Sequence, residues 1–174
     1  VMAVLPVAQQ AAEAVKELPI KFVIVGDGAR RDWLASEVNR RRLDNVQMIG
    51  YQPKEMMSQI NASCDVGLIP MTRTGAQDGF PSKVYTIMAC GRPVLVTADA
   101  DSEMAGIVQR SGGGRVVAPE DPDAFTAAVK RAYSERDQLP EEGRRARKFV
   151  ETDYSKEAIA RKYDALIREL TGRC

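Results

Sequence analysis

The chain has no histidine among its 174 residues and only three cysteines, at positions 64, 90 and 174. The absence of histidine excludes a Ser–His–Asp triad, a Cys–His pair, imidazole zinc ligands and a histidine general base. An odd number of cysteines without a Cys-x-x-Cys pair favours a reduced chain over a disulfide framework or a zinc site. We therefore expect a cytoplasmic protein without a metal site.

The chain also lacks an excess of charge and a long apolar run. Its 25 basic and 24 acidic residues leave a formal net charge of +1, which gives no bulk attraction to nucleic acid. Apolar runs such as residues 22–25 are far shorter than the ~18 residues that a membrane span needs. Because 44% of the residues are hydrophobic and 28% charged, we predict one globular domain over residues 1–174 that binds no nucleic acid.

Short apolar runs alternate along the chain with segments of helical period. Strands are predicted at Ile20–Val25, Val46–Ile49, Cys64–Ile69, Val94–Val96 and Val116–Val117. Helices are predicted over residues 8–17, 30–42, 53–62, 101–110 and 122–136, with another opened by Pro81-Ser82-Lys83 and two between 141 and 174. Trp33, Leu34 and Val38 are expected on one apolar face. This alternation predicts an α/β, Rossmann-like parallel sheet with helices on both faces and a C-terminal helical pair.

Ligands of such sheets bind outside the carboxyl ends of the strands. This rule makes the loops at 26–28, 50–53, 70–82 and 97–103 one candidate site. The first loop, Gly26-Asp27-Gly28, follows a strand and precedes a helix, so a phosphate or ribose could approach the helix amides there. A dinucleotide fingerprint needs a small residue where Arg31 stands, which argues against a nicotinamide cofactor. A plain tight turn is the alternative explanation of the glycines.

The segment from Asp78 to Val96 carries more information. A polar loop at 71–80 runs directly into the start of a helix, where free amides of residues 79–83 and the helix dipole favour an anion. Lys83 lies in the first helical turn, and a cation there is better explained if a phosphate also binds. The alternative is that Lys83 is a solvated surface lysine and Ser82 a capping residue.

Four stretches match a known family in order and spacing: KFVIVGDGARRDWL, NVQMIGYQPKEMMSQINASCDVGLIP, DGFPSKVYTIMACGRPVLVT and GGGRVVAPEDPDAFTAAV. On these motifs the chain resembles the C-terminal, donor-binding domain of a GT-B-fold glycosyltransferase of the group 1 (family 4) retaining class. The resemblance implies transfer of a hexose or N-acetylhexosamine from a UDP- or GDP-linked donor to a glycan or lipid-linked acceptor. It implies no cofactor besides that nucleotide-sugar substrate, and a role in polysaccharide biosynthesis.

The resemblance also implies roles for individual residues. Asp78 takes the place of a family glutamate that touches the donor sugar, and it keeps a carboxylate on a shorter arm. Thr86 takes the place of a second glutamate that holds the ribose, and here the chain departs from the family, because a hydroxyl does not offer two charged acceptors. Donor sugar or diphosphate contacts are implied for Gly79, Phe80, Ser82 and Lys83. The nucleotide is implied to lie against Gly26, Gly28, Gly50 and Tyr51, where Tyr51 is either a stacking surface for the base or an exposed tyrosine without function.

Domains of this family normally open with a further strand and a glycine-rich loop, and they follow an N-terminal acceptor domain. The chain is therefore expected to be a fragment that lacks both and is inactive alone. The resemblance implies that its final helix crosses back onto the acceptor domain. The basic stretch at 144–148 could touch an anionic membrane, which would give a peripheral location at the inner face of the cell membrane. A non-catalytic Rossmann-like nucleotide-binding or regulatory domain and half of a GT-B nucleotide-sugar epimerase remain alternatives.

Overall fold

The structure, a computed structural model, describes residues 4–72 and 81–172. Within them, five strands alternate with eight α-helices. The strands are β1 Phe22–Val25, β2 Val46–Ile49, β3 Gly67–Ile69, β4 Val94–Thr97 and β5 Gly114–Val117. The helices are α1 Val4–Ala14, α2 Arg31–Arg41, α3 Met57–Ser63, α4 Lys83–Ala89, α5 Glu103–Ser111, α6 Pro122–Ser134, α7 Leu139–Asp153 and α8 Lys156–Thr171. Single 3-10 turns precede α3 and α7.

All strand pairs are parallel, as the βαβ pattern predicts. β1 pairs with β2, and Phe22 lies opposite Val46. β4 lies between β3 and β5, with Ile69 opposite Val96 on one side and Val96 opposite Val116 on the other. The strands therefore form a two-stranded and a three-stranded sheet.

The helices cover both faces of the strands. Every residue of β4 is buried, and consecutive side chains of β4 point to opposite faces. Val94 and Val96 pack into a cluster with apolar residues of α4, α5 and α7. Leu95 packs on the other face with residues of α1 and α6. This arrangement confirms the predicted α/β, Rossmann-like architecture.

The two sheets share one apolar layer. Phe22 of β1 and Leu95 of β4 belong to the same buried cluster, with Leu68 of β3 packed against it. Ala11 and Val15, from α1 and the turn that follows it, are almost fully buried in that cluster. Burying an aliphatic or aromatic side chain of this size contributes about 1.5–3 kcal/mol, so this cluster holds the β1–β2 pair against the rest of the molecule.

Several sequence predictions at this level were only partly right. β1 begins at Phe22 rather than at Ile20, and α1 spans Val4–Ala14 rather than residues 8–17. β3 begins at Gly67 rather than at Cys64, and α3 begins with a 3-10 turn. Trp33 is exposed although Leu34 beside it is buried, and Met56 and Met57 are exposed as well. In α2, Leu34 is buried and Val38 packs against the cluster of α1 and α6, whereas Trp33 is turned about 100° around the helix from Leu34 and lies outside this stripe.

Candidate functional site at the carboxyl ends of the strands

The loops that follow β1 and β2 are fastened to each other. Gly26 has a φ of +127°, a conformation that favours glycine, and its N–H donates to the carbonyl of Ile49 at 3.0 Å. The Asp27 carboxylate accepts the main-chain N–H of Tyr51 at 2.7 Å. Arg31 lies 3.1 Å from the same carboxylate and donates to the carbonyl of Gly26. Asp27 therefore joins the end of one strand to the end of its neighbour.

The residues predicted on the nucleotide side lie together at this place. Gly28 has open space where a Cβ would stand, and a Cβ on Gly50 would be 3.6 Å from an Asp27 carboxylate oxygen, an ordinary contact. Tyr51 is 73% exposed. Sequence analysis assigned no role to Asp27, although a carboxylate between two glycines at the end of a strand was a visible signal.

A second connection lies at the ends of β3 and β4. The ladder between these strands stops at Ile69 and Val96. Beyond this point the side chain of Thr97, which is 2% exposed, forms the hydrogen bonds between the two chain segments. Its hydroxyl accepts the main-chain N–H of Met71 and donates to the carbonyl of Met71 at 2.7 Å. Sequence analysis did not single out Thr97, since a threonine at the end of a strand carries no distinctive pattern.

A groove of about 340 Å³ opens between the end of β3 and the start of α4. Its lining residues are Leu68, Ile69, Pro70, Met71, Pro81, Ser82 and Lys83. Ser82 and Lys83 are exposed on its rim, whereas Ile69 is buried. The groove therefore has an apolar floor and a hydroxyl and an ammonium group at its edge.

The start of α4 presents polar side chains toward solvent. Ser82 occupies the cap position, but its side chain makes no capping hydrogen bond to the described helix, so capping does not explain this serine. No carboxylate of the described chain lies within ion-pair distance of Lys83, the first helical residue; the ion pairs found are those of other residues. The hydroxyl of Thr86, one turn later on the same side, donates to the carbonyl of Lys83 at 2.9 Å.

The opposite side of α4 holds the helix in place. Val84 and Met88 are fully buried in the cluster with α7. Gly67 of β3 lets the helix approach, because a Cβ there would stand 2.5 Å from the side chain of Ile87. The ring of Tyr85 stacks at 4.6 Å on Tyr154, and burial, with Tyr154 adding to it, raises the pKa of Tyr85 to about 12. The contact of Tyr85 with Tyr154 joins α4 to the end of α7.

Three predicted donor-contacting residues, Asp78, Gly79 and Phe80, lie outside the described residues. The structure thus brings Ser82, Lys83 and Thr86 together at α4, and the nucleotide-side glycines and Tyr51 together at β1 and β2. Across residues 4–72 and 81–172, no group of three or more cysteine, aspartate or glutamate side chains could hold a metal ion. None of the helices over the same ranges is long and apolar enough to cross a bilayer.

Most of this chain is similar in sequence to proteins of a known family. A family profile described as group 1 glycosyl transferases matches residues 3–135. WcaI of Escherichia coli K12, which carries the name of a colanic acid biosynthesis glycosyl transferase, is 28% identical over 155 residues, 88% of this chain and 37% of WcaI. WbjE of Pseudomonas aeruginosa, named as a glycosyltransferase, is 28% identical over 92% of this chain and 40% of WbjE. The chain thus spans about two fifths of the length of these relatives.

Solved structures share the fold. A sucrose-phosphate synthase from Thermosynechococcus elongatus superposes with a TM-score of 0.75 at 23% identity, over 95% of this chain and 42% of the synthase. HepE of Anabaena, solved in complex with UDP and glucose, superposes with a TM-score of 0.73 at 16% identity, over 91% of this chain and 44% of HepE. At these identities the likeness shows the architecture, which is that of GT-B glycosyltransferases.

Proposed function

Because the chain belongs to the group 1 glycosyltransferases, we propose that residues 1–174 are the donor-binding domain of a retaining enzyme of that family. The donor is a UDP- or GDP-linked hexose or N-acetylhexosamine, and the acceptor is a glycan or lipid-linked glycan. A relative named for colanic acid biosynthesis and a structural neighbour solved with UDP and glucose support this proposal. The observation that carries it is the groove beside β3, with Ser82 and Lys83 on its rim.

The chemistry of the groove suits a diphosphate. Lys83 is an exposed cation with no carboxylate of the described chain to neutralise it, and Ser82 has a hydroxyl free of capping. A charge-assisted hydrogen bond from an ammonium group to a phosphate is about twice as strong as a neutral one. In glycosyl transfer the nucleoside diphosphate departs with its negative charge, and a fixed cation beside it stabilises that charge. We assign this role to Lys83.

The remaining donor contacts are extensions of the same proposal. Asp78, with the main chain of Gly79 and Phe80, contacts the sugar, and Thr86 offers one hydroxyl to the ribose. On the nucleotide side, Gly26 and Gly28 admit the ribose or phosphate, and Gly50 and the exposed ring of Tyr51 receive the base. Stacking of a base on an aromatic ring contributes about 1–3 kcal/mol, so Tyr51 has the right chemistry and exposure.

Thermal unfolding of the 174-residue chain with UDP, GDP, ADP and NAD tests the proposal. A nucleotide at a hundredfold excess over its dissociation constant stabilises the folded state by about 2.7 kcal/mol. We expect UDP or GDP to raise the melting temperature and Lys83→Ala to remove that increase. Lys156→Ala is the matched control, since Lys156 is also an exposed lysine at the first position of a helix. Because no cofactor is proposed, EDTA should leave the nucleotide effect unchanged.

The alternatives give different results. A shift with NAD alone favours a nicotinamide-binding domain, and no shift with any nucleotide contradicts the donor-binding proposal. A regulatory domain would bind UDP or GDP but show no transfer in the longer parent protein. An epimerase would convert the sugar of the donor in that protein without any acceptor.

We also propose that a further parallel strand, from a segment outside residues 1–174, lies between β1 and β3. β1 and β3 do not pair with each other, although Phe22 and Leu68 contribute to one apolar cluster. Val23, in the middle of β1, is 52% exposed, which is unusual for an apolar residue of a Rossmann-like strand. Amide exchange at Val23 and Val25, whose N–H groups point away from β2, should slow in a longer piece of the parent protein. Equal exchange in both proteins would contradict this proposal.

The C-terminal helix is proposed to contact an acceptor-binding domain of the parent protein. The α8 face, which we define as Tyr163, Leu166, Ile167 and Leu170, is between 49% and 76% exposed. The basic stretch at 144–148 is a weaker candidate for a membrane contact, because Arg144 pairs with Glu141 and Arg147 with Glu151. Binding of the chain to vesicles of anionic phospholipid would nevertheless support the proposed peripheral location.

A further inference from the structure

The end of β3 differs from the ends of β1 and β4 at the same edge. After β1 the main chain continues the ladder, with the N–H of Gly26 donating to the carbonyl of Ile49. After β4 the main chain again continues it, with the N–H of Ala98 donating to the carbonyl of Val117. After β3 the next N–H that faces β4 is that of Met71, and it donates to the side-chain hydroxyl of Thr97, which in turn donates to the carbonyl of Met71. Thr97 and Asp27 are thus the two described side chains that take over where a ladder ends, and of these Thr97 lies beside the groove.

Thr97 acts on the groove through Met71. Met71 lines the groove, and its side chain packs against the buried cluster beneath α4. With both its N–H and its carbonyl bonded to one buried hydroxyl, Met71 is held opposite Ser82 and Lys83 at the other wall. Buried hydroxyls with two main-chain partners hold a segment firmly, because breaking either bond leaves a polar group without a partner.

We propose that Thr97 is a positioning residue for donor binding: its hydroxyl holds Met71, and with it one wall of the groove, where a nucleoside diphosphate can bind. This inference rests on the proposed donor-binding function. Thr97 does not touch the donor, and its effect reaches the ligand only through Met71. A substitution at Lys83, which we propose to contact the donor, would therefore leave the hydrogen bonds between Thr97 and Met71 intact.

The test compares three variants of the 174-residue chain by calorimetric titration with UDP and GDP. Thr97→Val keeps the shape of the side chain but removes both hydrogen bonds, and we expect it to weaken nucleotide binding about five- to tenfold. Thr97→Ser restores the hydroxyl and should bind within about twofold of the wild type.

Ser111→Ala is the matched control. Ser111 is also buried and also bonds two main-chain groups, the carbonyl of Val108 and the N–H of Gly113, but it lies near the start of β5, away from the groove. It should lower the melting temperature as Thr97→Val does and leave nucleotide affinity unchanged. This comparison separates positioning of the groove from loss of general stability.

A measurement on the wild type covers the case in which Thr97→Val does not fold. UDP or GDP should shift the NMR amide signal of Met71 and leave that of Gly113 in place. Unchanged affinity in Thr97→Val, equal weakening in Ser111→Ala, or an unmoved Met71 signal on saturation would each overturn the inference. If the wild type binds neither nucleotide, the donor-binding function itself fails, and the role of Thr97 fails with it.

Discussion

Asp27 connects two loops that are 24 residues apart in the sequence. The turn at Gly26-Asp27-Gly28 was predicted from the sequence, because glycine suits a tight strand-to-helix turn. The hydrogen bond from the N–H of Tyr51 to Asp27 was not predicted, since no local sequence pattern connects the two positions. At this scale the sequence predicted which residue types stand near the site, and the structure showed which of them are bonded.

We expect Asp27→Ala to weaken nucleotide binding about three- to tenfold, because Tyr51 would lose the bond that orients its loop. The melting temperature should change little, since the ion pair of Asp27 with Arg31 is exposed and such pairs contribute little. Titration with UDP or GDP gives the affinity, and Asp44→Ala, an exposed aspartate before β2, serves as control. A large loss of stability at unchanged affinity would show that Asp27 serves the fold and not the site.

Among whole elements, those with strong local signals were predicted best. β2 was predicted at Val46–Ile49 and is found there, and the start of α6 was predicted from Asp121-Pro122. Asp121 caps that helix by accepting the N–H of Ala124 at 2.8 Å. β3 was predicted three residues too long, because the apolar run from Cys64 says nothing about where the neighbouring strand stops pairing.

The α8 face gives a prediction at this scale. Tyr163, Leu166, Ile167 and Leu170 recur at helical spacing, yet contacts with α7 cover only the start of the helix, where Ala158 is buried. We expect Leu166→Ser with Leu170→Ser to leave the melting temperature of the 174-residue chain nearly unchanged, because both side chains are exposed there.

The same double variant should reduce glycosyl transfer in the longer parent protein. The substitution Ala158→Ser is the contrasting control, because it alters the buried end of the same helix and should lower the melting temperature. A stability loss from the double variant in the isolated chain would mean that the α8 face is already covered.

For the whole molecule, the charge composition sets the response to pH. Hydrogen bonds from Arg40 lower the pKa of Glu37 to about 2; partial burial opposes this decrease, and Arg41 adds to it. Hydrogen bonds from Arg115 and Arg131 lower the pKa of Glu135 in the same way. A carboxyl group whose pKa is lower in the folded than in the unfolded chain stabilises the fold above the unfolded pKa. That stabilisation is lost as the pH falls through the folded-state pKa and the carboxylate binds a proton.

Unfolding by urea at several pH values should therefore give a nearly constant free energy of unfolding between about pH 6 and 8, where a chain without histidine has few groups to titrate. The free energy should fall as the pH drops from 4.5 toward 2. Glu37→Gln with Glu135→Gln should make that decrease shallower, whereas Glu55→Gln, which forms no ion pair in the described chain, should not. A strong dependence near neutral pH would contradict this expectation.

The sequence by itself determined the α/β alternation, the parallel sheet and the loops that carry the candidate site. These follow from the period of apolar residues and from glycine and proline, which act over a few residues. Only the tertiary structure decided that Asp27 holds Tyr51, that Thr97 holds Met71, and that Trp33 and the α8 face stay exposed. Those outcomes depend on which strand ends lie side by side and on how much apolar area each helix can cover, and neither quantity is encoded within any one segment.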